Sequence, residues 1–223
     1  MKYKVIIPAR KGSKRLPGKN LKVLNNKPLI KYSIDYALNY FDKDDIWVNS
    51  DCEQILSFAS NINVNIYKRP LILGGDTVST VDVLKDHLFF FIKQEIIVDA
   101  IILLQPTNPL RKKDLLKNCI EIFESTKRNS LATFSEYEKK ICKIIDEKFY
   151  PLNYVPGQRS QDIERKYYEN GSIYISKIES INKGDIITND VYPFIDNSME
   201  SSVDIDYHKD FLLAEAILNL NNK

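Results

Sequence analysis

Five cations stand within ten residues near the start of the chain: Arg10, Lys11, Lys14, Arg15 and Lys19. They follow Val5-Ile-Ile-Pro-Ala9, an apolar run that reads as a buried strand. A strand running into a basic, glycine-containing turn gathers backbone N–H groups and fixed charge at the carboxyl edge of a sheet, where phosphates bind. Only Gly12 and Gly18 are present in the turn. It therefore matches neither Gly-x-Gly-x-x-Gly nor Gly-x-x-x-x-Gly-Lys-Ser/Thr. Side-chain cations must then do more of the anion binding. That argues against a dinucleotide dehydrogenase or a P-loop ATPase, and for a nucleoside triphosphate neutralised by Arg, Lys and a metal. The competing reading is a solvated basic turn.

Near the other end, Val203-Asp204-Ile205-Asp206 alternates with the period of a strand. Asp204 and Asp206 then project to one face, and Val203 and Ile205 to the other. Two neighbouring carboxylates repel unless a cation lies between them. Mg²⁺ held by one or two carboxylates plus phosphate oxygens is the simplest answer. The alternative is a polar edge strand in which Asp206 caps a helix beginning near His208. Asp51 and Gln105 each follow a strand-like run on the same side of such a sheet. Gln105 both donates and accepts, which suits a polyhydroxylated ligand.

Other chemistries find little support. The three cysteines, Cys52, Cys119 and Cys142, are far apart with no Cys-x-x-Cys, so a zinc site or disulfide framework is not expected. With two histidines, His87 and His208, no Ser-His-Asp or Cys-His arrangement can be argued. His87 falls on a predicted helix and is expected at its surface or boundary, and Cys52 is expected to be a packing residue.

The elements that must position these groups alternate. Strands are predicted at 4–9, 45–50, 64–67 and 100–104, and helices at 29–40, 53–59, 79–93 and about 113–126. This alternation implies right-handed βαβ units and an α/β fold with a doubly wound, mostly parallel sheet. The run Ala100-Ile-Ile-Leu-Leu104 is continuously apolar, as the middle of a parallel sheet requires. The pattern changes after Ser130. Short strands at 131–137, 140–146 and 149–155 alternate aromatic and charged residues and have no clear place in that sheet. Residues 131–168 are therefore read as a small inserted β arm used for association. Strands at 171–176 and 202–206 and a helix over 208–220 complete the chain.

A chain of 223 residues suits one domain, 1–223, with 43% hydrophobic and 28% charged residues. Its net charge of +2 gives no support to general nucleic-acid binding. There is no apolar run of membrane-spanning length and no signal-peptide pattern, so a cytoplasmic location without a membrane partner is expected.

Six segments together resemble the acylneuraminate cytidylyltransferases: IIPARKGSKRLPGKNL at 6–21, NSD at 49–51, RP at 69–70 with DTVST at 76–80, LLQPTNPLR at 103–111, NGSIYI at 170–175 and SVDID over 202–206. They occur in the family's order and span nearly the whole chain. The resemblance implies a nucleotide-diphospho-sugar transferase-like fold that uses CTP and Mg²⁺ to activate a 2-keto-3-deoxy acid sugar, as a homodimer. By resemblance, Arg10 and Lys14 bind the triphosphate, and Ser13 supports the loop. Lys19 neutralises the sugar carboxylate or a nearby phosphate. Asn20, Arg69 and Thr80 hold the cytidine, Gln105 and Tyr174 touch the sugar, and Asp204 and Asp206 bind Mg²⁺. Arg159 reaches in from the arm. The base that takes the proton from the attacking hydroxyl is Asp204 or a hydroxide on the metal. Arg15-Leu-Pro-Gly-Lys19 also resembles the Kdo cytidylyltransferases, and Tyr167-Tyr-Glu169 stands where sialic enzymes often carry an arginine. The sugar thus stays open among nonulosonic acids, legionaminic acid included. The rivals are a Kdo or molybdenum-cofactor cytidylyltransferase and a non-catalytic nucleotide-binding module of the same fold.

Overall fold

The computed structural model describes residues 1–221, so the last two positions of the domain expected over 1–223 lie outside the described residues. In chain order the strands are β1 (Tyr3–Pro8), β2 (Val23–Leu24), β3 (Lys27–Pro28), β4 (Ile46–Ser50), β5 (Asn65–Lys68), β6 (Ala100–Leu103), β7 (Ser130–Tyr137), β8 (Cys142–Ile145), β9 (Lys148–Pro151), β10 (Lys166–Lys177) and β11 (Tyr192–Ile195). The helices are α1 (Leu29–Leu38), α2 (Glu53–Asn61), α3 (Thr80–Lys93), α4 (Leu115–Ser125), α5 (Ile178–Lys183) and α6 (His208–Asn221).

Seven strands form the central sheet in the order β11-β7-β10-β6-β1-β4-β5. β10 runs antiparallel to both its neighbours, β6 and β7, while the other pairings are parallel. The mostly parallel α/β sheet expected from the alternation is the fold observed.

Period-two alternation assigns the strand side chains to two faces. Val5, Ile7, Ile46, Val48 and Ile102 pack against α1, α2 and α4. Ile6, Trp47, Ile101 and Leu103 pack against α3 and α5 on the other face. Ser79 caps α3, its hydroxyl accepting from the Asp82 backbone N–H at 3.2 Å. That bond satisfies one of the donors a helix start leaves open.

A third, smaller core positions the chemistry. Leu16 from the middle of the basic loop, Leu110, Val203 and Ile205 pack together against Phe211, Ala214 and Ile217 of α6. Three segments far apart in sequence are thereby tied to one helix.

Four expectations need correction. Residues 202–206 are not a strand: Glu200–Ser202 is a 3-10 turn and the segment after it is extended without a ladder. It lies beyond the sheet, where Ile205 N–H donates to the Thr107 carbonyl at 2.8 Å. The in–out alternation survives because Val203 and Ile205 are fully buried. The expected arm over 131–168 begins inside the central sheet. β7 is paired on both edges, and only 138–165, with the separate β8–β9 hairpin, leaves it. β11 is not among the expected strands; its Pro193 is tolerated because the strand is at the sheet edge.

The fourth correction is His87, which is buried rather than at the surface. It stands three residues from Leu84 and four from Phe91, on the apolar stripe of α3. Its ring stacks on Tyr67 at 4.4 Å and also meets Trp47 and Phe91. An imidazole accepts this place only when neutral, and burial, with the Arg69 cation nearby, pushes its pKa down to about 3.

Candidate active site

A cleft of about 380 Å³ opens beyond the carboxyl ends of β1 and β6. Such crevices are where ligands sit in open α/β sheets. Arg10, Lys19, Asn20, Arg69, Thr80, Gln105, Asp204 and Asp206 all line it.

The basic loop supplies one wall. Gly18 takes φ +67°, a left-handed conformation that glycine adopts without strain, and starts the 3-10 turn Lys19–Leu21. Ser13 accepts from Leu16 N–H at 3.4 Å, and buried Asn20 donates to the Arg10 carbonyl at 2.9 Å. Asp51 stands behind the loop, accepting from Lys11 N–H at 2.8 Å, so it braces the wall and does not line the cleft as its position after a strand had suggested.

The loop cations pair with two carboxylates. Asp76 takes Arg10 at 2.6 Å and Lys14 at 2.9 Å, one on each oxygen. Asp206 takes Lys19 at 3.0 Å and Arg15 at 2.9 Å in the same manner. Lys19 also donates to the Ile205 carbonyl at 2.9 Å. Asp206 therefore does not cap α6. Asp210 accepts from the backbone N–H groups of Asp206 and Tyr207 at that helix start.

Asp204 faces the cleft beside Asp206. Lost hydration within the cleft raises its pKa above the usual carboxylate range, and the Asp206 charge adds to this, with Thr107 hydrogen bonding in opposition. A divalent cation would relieve that repulsion. Among the described residues no group of three His, Cys, Asp or Glu side chains gathers. The donor set is thus two hard carboxylates, which fits Mg²⁺ completed by phosphate oxygens and water.

The opposite wall is the turn before α3. Arg69 is 5% exposed, donating to the Asn49 carbonyl at 2.6 Å, while its Nε has no partner among the described residues. Burial lowers its pKa to about 10, so it remains a cation at neutral pH. Gln105 is fixed through its backbone carbonyl, which accepts from half-buried Arg111 at 2.9 Å. Arg111 also reaches Ser172 and Ser33 and lies over the Tyr36 ring.

Besides Asp51 and Ser13, three more residues singled out in the sequence stand apart from the cleft wall. Lys14 sits at the rim, held by Asp76. Tyr174 is largely buried in the sheet, its hydroxyl donating to Glu169 at 3.3 Å. Arg159 is on the excursion, paired with Asp162 at 2.7 Å, and does not reach its own chain's cleft. Asp76, Thr107, Asn108 and Arg111 carry contacts that the motif reading left without a role. For Asn108 the flanking prolines signalled a tight loop, but nothing local identified its partners.

Residues 4–222 match the family model described as cytidylyltransferase. The whole chain is 35% identical to CMP-N,N'-diacetyllegionaminic acid synthase of Legionella pneumophila, spanning 99% of that protein. Over 95% of its length it is 34% identical to N-acylneuraminate cytidylyltransferase of Streptococcus agalactiae, of which it spans about half, 52%. Among solved structures, CMP:2-keto-3-deoxy-manno-octonic acid synthetase complexed with CTP matches 99% of this chain and 100% of that one with a TM-score of 0.72. At 16% identity this last likeness supports the fold.

Proposed function

The chain belongs to the cytidylyltransferase family, and from that premise we propose that it transfers CMP from CTP to the anomeric hydroxyl of a nonulosonic acid, releasing pyrophosphate. One observation carries the reading: Lys19 and Arg15 of the basic loop meet the Asp204–Asp206 segment in the same cleft that Arg10 lines. A triphosphate needs both fixed cations and a metal-holding carboxylate pair. The sugar class is supported by the 35% identity to the Legionella pneumophila relative over the whole chain. The Kdo alternative has behind it the short Arg15–Lys19 resemblance and a fold likeness at 16% identity.

In this reading Arg10 and Lys14 exchange Asp76 for the β- and γ-phosphates. Asn20, Arg69 and Thr80 hold the cytidine, with Ser13 stabilising the loop. Gln105 orients the sugar, Tyr174 supports that wall from behind, and Lys19 offsets charge between the sugar carboxylate and the phosphates. Asp204 and Asp206 would hold Mg²⁺, which supplies a hard positive charge to the phosphate oxygens when bound. The anomeric oxygen attacks the α-phosphorus in line, and the bond to the β-phosphate oxygen breaks. Asp204, which lines the cleft, stands where it could accept the hydroxyl proton. Preorganised cations stabilise the charge that develops on pyrophosphate.

The same reading assigns two copies joined through the excursion 138–165, where Ile144, Phe149, Tyr150 and Val155 are exposed. Arg159 would then serve the neighbour's cleft. Among the described residues no helix is long and apolar enough to cross a membrane. We place the reaction in the cytoplasm, where CTP is made.

Pyrophosphate release with CTP, Mg²⁺ and a panel of nonulosonic acids and Kdo tests the assignment. Turnover should require a nonulosonic acid, with ATP and GTP much poorer than CTP. Equal turnover of ATP, or a preference for Kdo, would overturn it.

A further inference from the structure

We propose that Asn108 is a positioning residue that holds the acidic segment in register with the cleft, by clamping two backbone carbonyls from different parts of the chain. This rests on the assignment of Asp204 and Asp206 to the metal.

Asn108 is 1% exposed and lies outside the cleft wall. Its amide nitrogen donates to the Asn170 carbonyl at 2.7 Å and to the Val203 carbonyl at 3.0 Å. Both amide hydrogens are thereby used. Its oxygen accepts from the Thr107 hydroxyl at 3.2 Å. The preceding residue completes the attachment, since the Thr107 carbonyl accepts from Ile205 N–H at 2.8 Å. The carbonyl before Asp204 and the N–H after it are therefore tied to consecutive residues of one loop. No strand ladder holds this segment, so these bonds substitute for one.

The other half of the clamp explains Gly171. The register of β10 on β7 shifts between Glu169 and Tyr174, and Gly171 within that irregularity takes φ +76°. A Cβ at Gly171 would come within 2.6 Å of the Asn108 oxygen, closer than two such atoms can stand. Glycine is thus needed twice over, for the backbone angle and for the space. The chemistry also demands an amide at 108. An isosteric aspartate would turn carboxylate oxygens toward two carbonyl oxygens, and an apolar residue would leave both carbonyls buried without a donor.

The test is Mn²⁺ binding in the presence of CTP without sugar, followed by electron paramagnetic resonance. Asn108→Ala should weaken Mn²⁺ at least fivefold. It should raise the Mg²⁺ concentration for half-maximal turnover by a similar factor, with kcat at saturating Mg²⁺ reduced less than threefold. Ser176→Ala is the control. Ser176 lies in β10 with Gly171, and the variant removes its hydroxyl bond to the Ile186 carbonyl, away from the cleft. It should lower the melting temperature and leave Mn²⁺ affinity unchanged. Gly171→Ala, which crowds Asn108 without removing it, should reproduce the Mn²⁺ defect, and replaces Asn108→Ala should that variant fail to fold. Mn²⁺ affinity within twofold of the parent in the clamp variant, or equal weakening in Ser176→Ala, would overturn the proposal. Asp204→Asn must itself lose Mn²⁺. If it does not, the metal assignment is wrong and the clamp falls with it.

Discussion

The Arg10 guanidinium and the Asp76 carboxylate meet at 2.6 Å at the mouth of the cleft, and the second oxygen of Asp76 holds Lys14 at 2.9 Å. The chain thus lays one of its own anions on two cations assigned to the triphosphate. These cations hold Asp76 below the usual carboxylate range.

A triphosphate or pyrophosphate has to displace Asp76. Asp76→Asn should therefore tighten inorganic pyrophosphate, on the order of three- to fivefold, the scale of an exposed ion pair. Calorimetry with pyrophosphate and Mg²⁺ measures it, alongside Arg10→Ala as the opposite control. Unchanged or weaker binding in Asp76→Asn would show that the contact only tethers the loop.

Asp206→Asn and Asp204→Asn should each lose on the order of a hundredfold in kcat/KM while folding normally, since the loss of metal charge costs several kcal/mol in the transition state. Neither carboxylate is buried in a core, so near-UV circular dichroism should be unaltered. Wild-type rates at limiting Mg²⁺ would reassign both as surface groups.

Arg10→Ala should cost about 3 kcal/mol of transition-state stabilisation, a hundredfold in rate, by removing one donor at the phosphates. Lys19→Ala should act mainly through the acid sugar, raising its KM. A sugar KM that does not move, with kcat reduced, would place Lys19 wholly on the nucleotide side.

His87 makes stability depend on pH. Its pKa is about 3 in the folded chain and near 6.5 when unfolded. Between these values the unfolded chain takes up a proton that the folded one does not. Its stabilising effect is complete above about pH 6.5 and is lost as pH falls toward 3, with a slope of up to about 1.4 kcal/mol per pH unit. Urea titrations at pH 7, 5.5 and 4.5 should show this slope, and His87→Phe should flatten it. An equal slope in both proteins would assign the acid sensitivity to carboxylates.

Light scattering should find a dimer for the full chain and a monomer when 138–165 is replaced by a short linker. The exposed Ile144 and Phe149 of the hairpin are the apolar surface that association would cover. A monodisperse monomer of the full chain at micromolar concentration rules the interface out.

Local periodicity was enough for the α/β sheet and for the basic and acidic segments of the cleft, while Asn20, Arg69 and Thr80 came from the family resemblance. Continuous apolar runs such as Ile101-Ile-Leu103 can be satisfied only between two helical layers, and each basic or acidic segment that follows one must emerge at the same sheet edge. The alternation of Val203 and Ile205 with Asp204 and Asp206 likewise set which side chains face the cleft, even where the strand itself did not form. Period and composition carry this information because burial acts on each residue in place.

Pairing is different. Nothing near Asp206 in the chain says that Lys19 and Arg15 will reach it, nor does anything near Asp76 point to Arg10. β7 entered the sheet, against its polar and aromatic pattern, because β10 and β11 were there to pair with it. His87 went inside because Tyr67, Trp47 and Asn49 converge on the stripe of α3 that carries it. Residue types determined which groups could do chemistry. Which of them meet was decided by long-range packing, since charge and hydrogen-bond partners are chosen by distance in the folded chain, and only topology sets that distance.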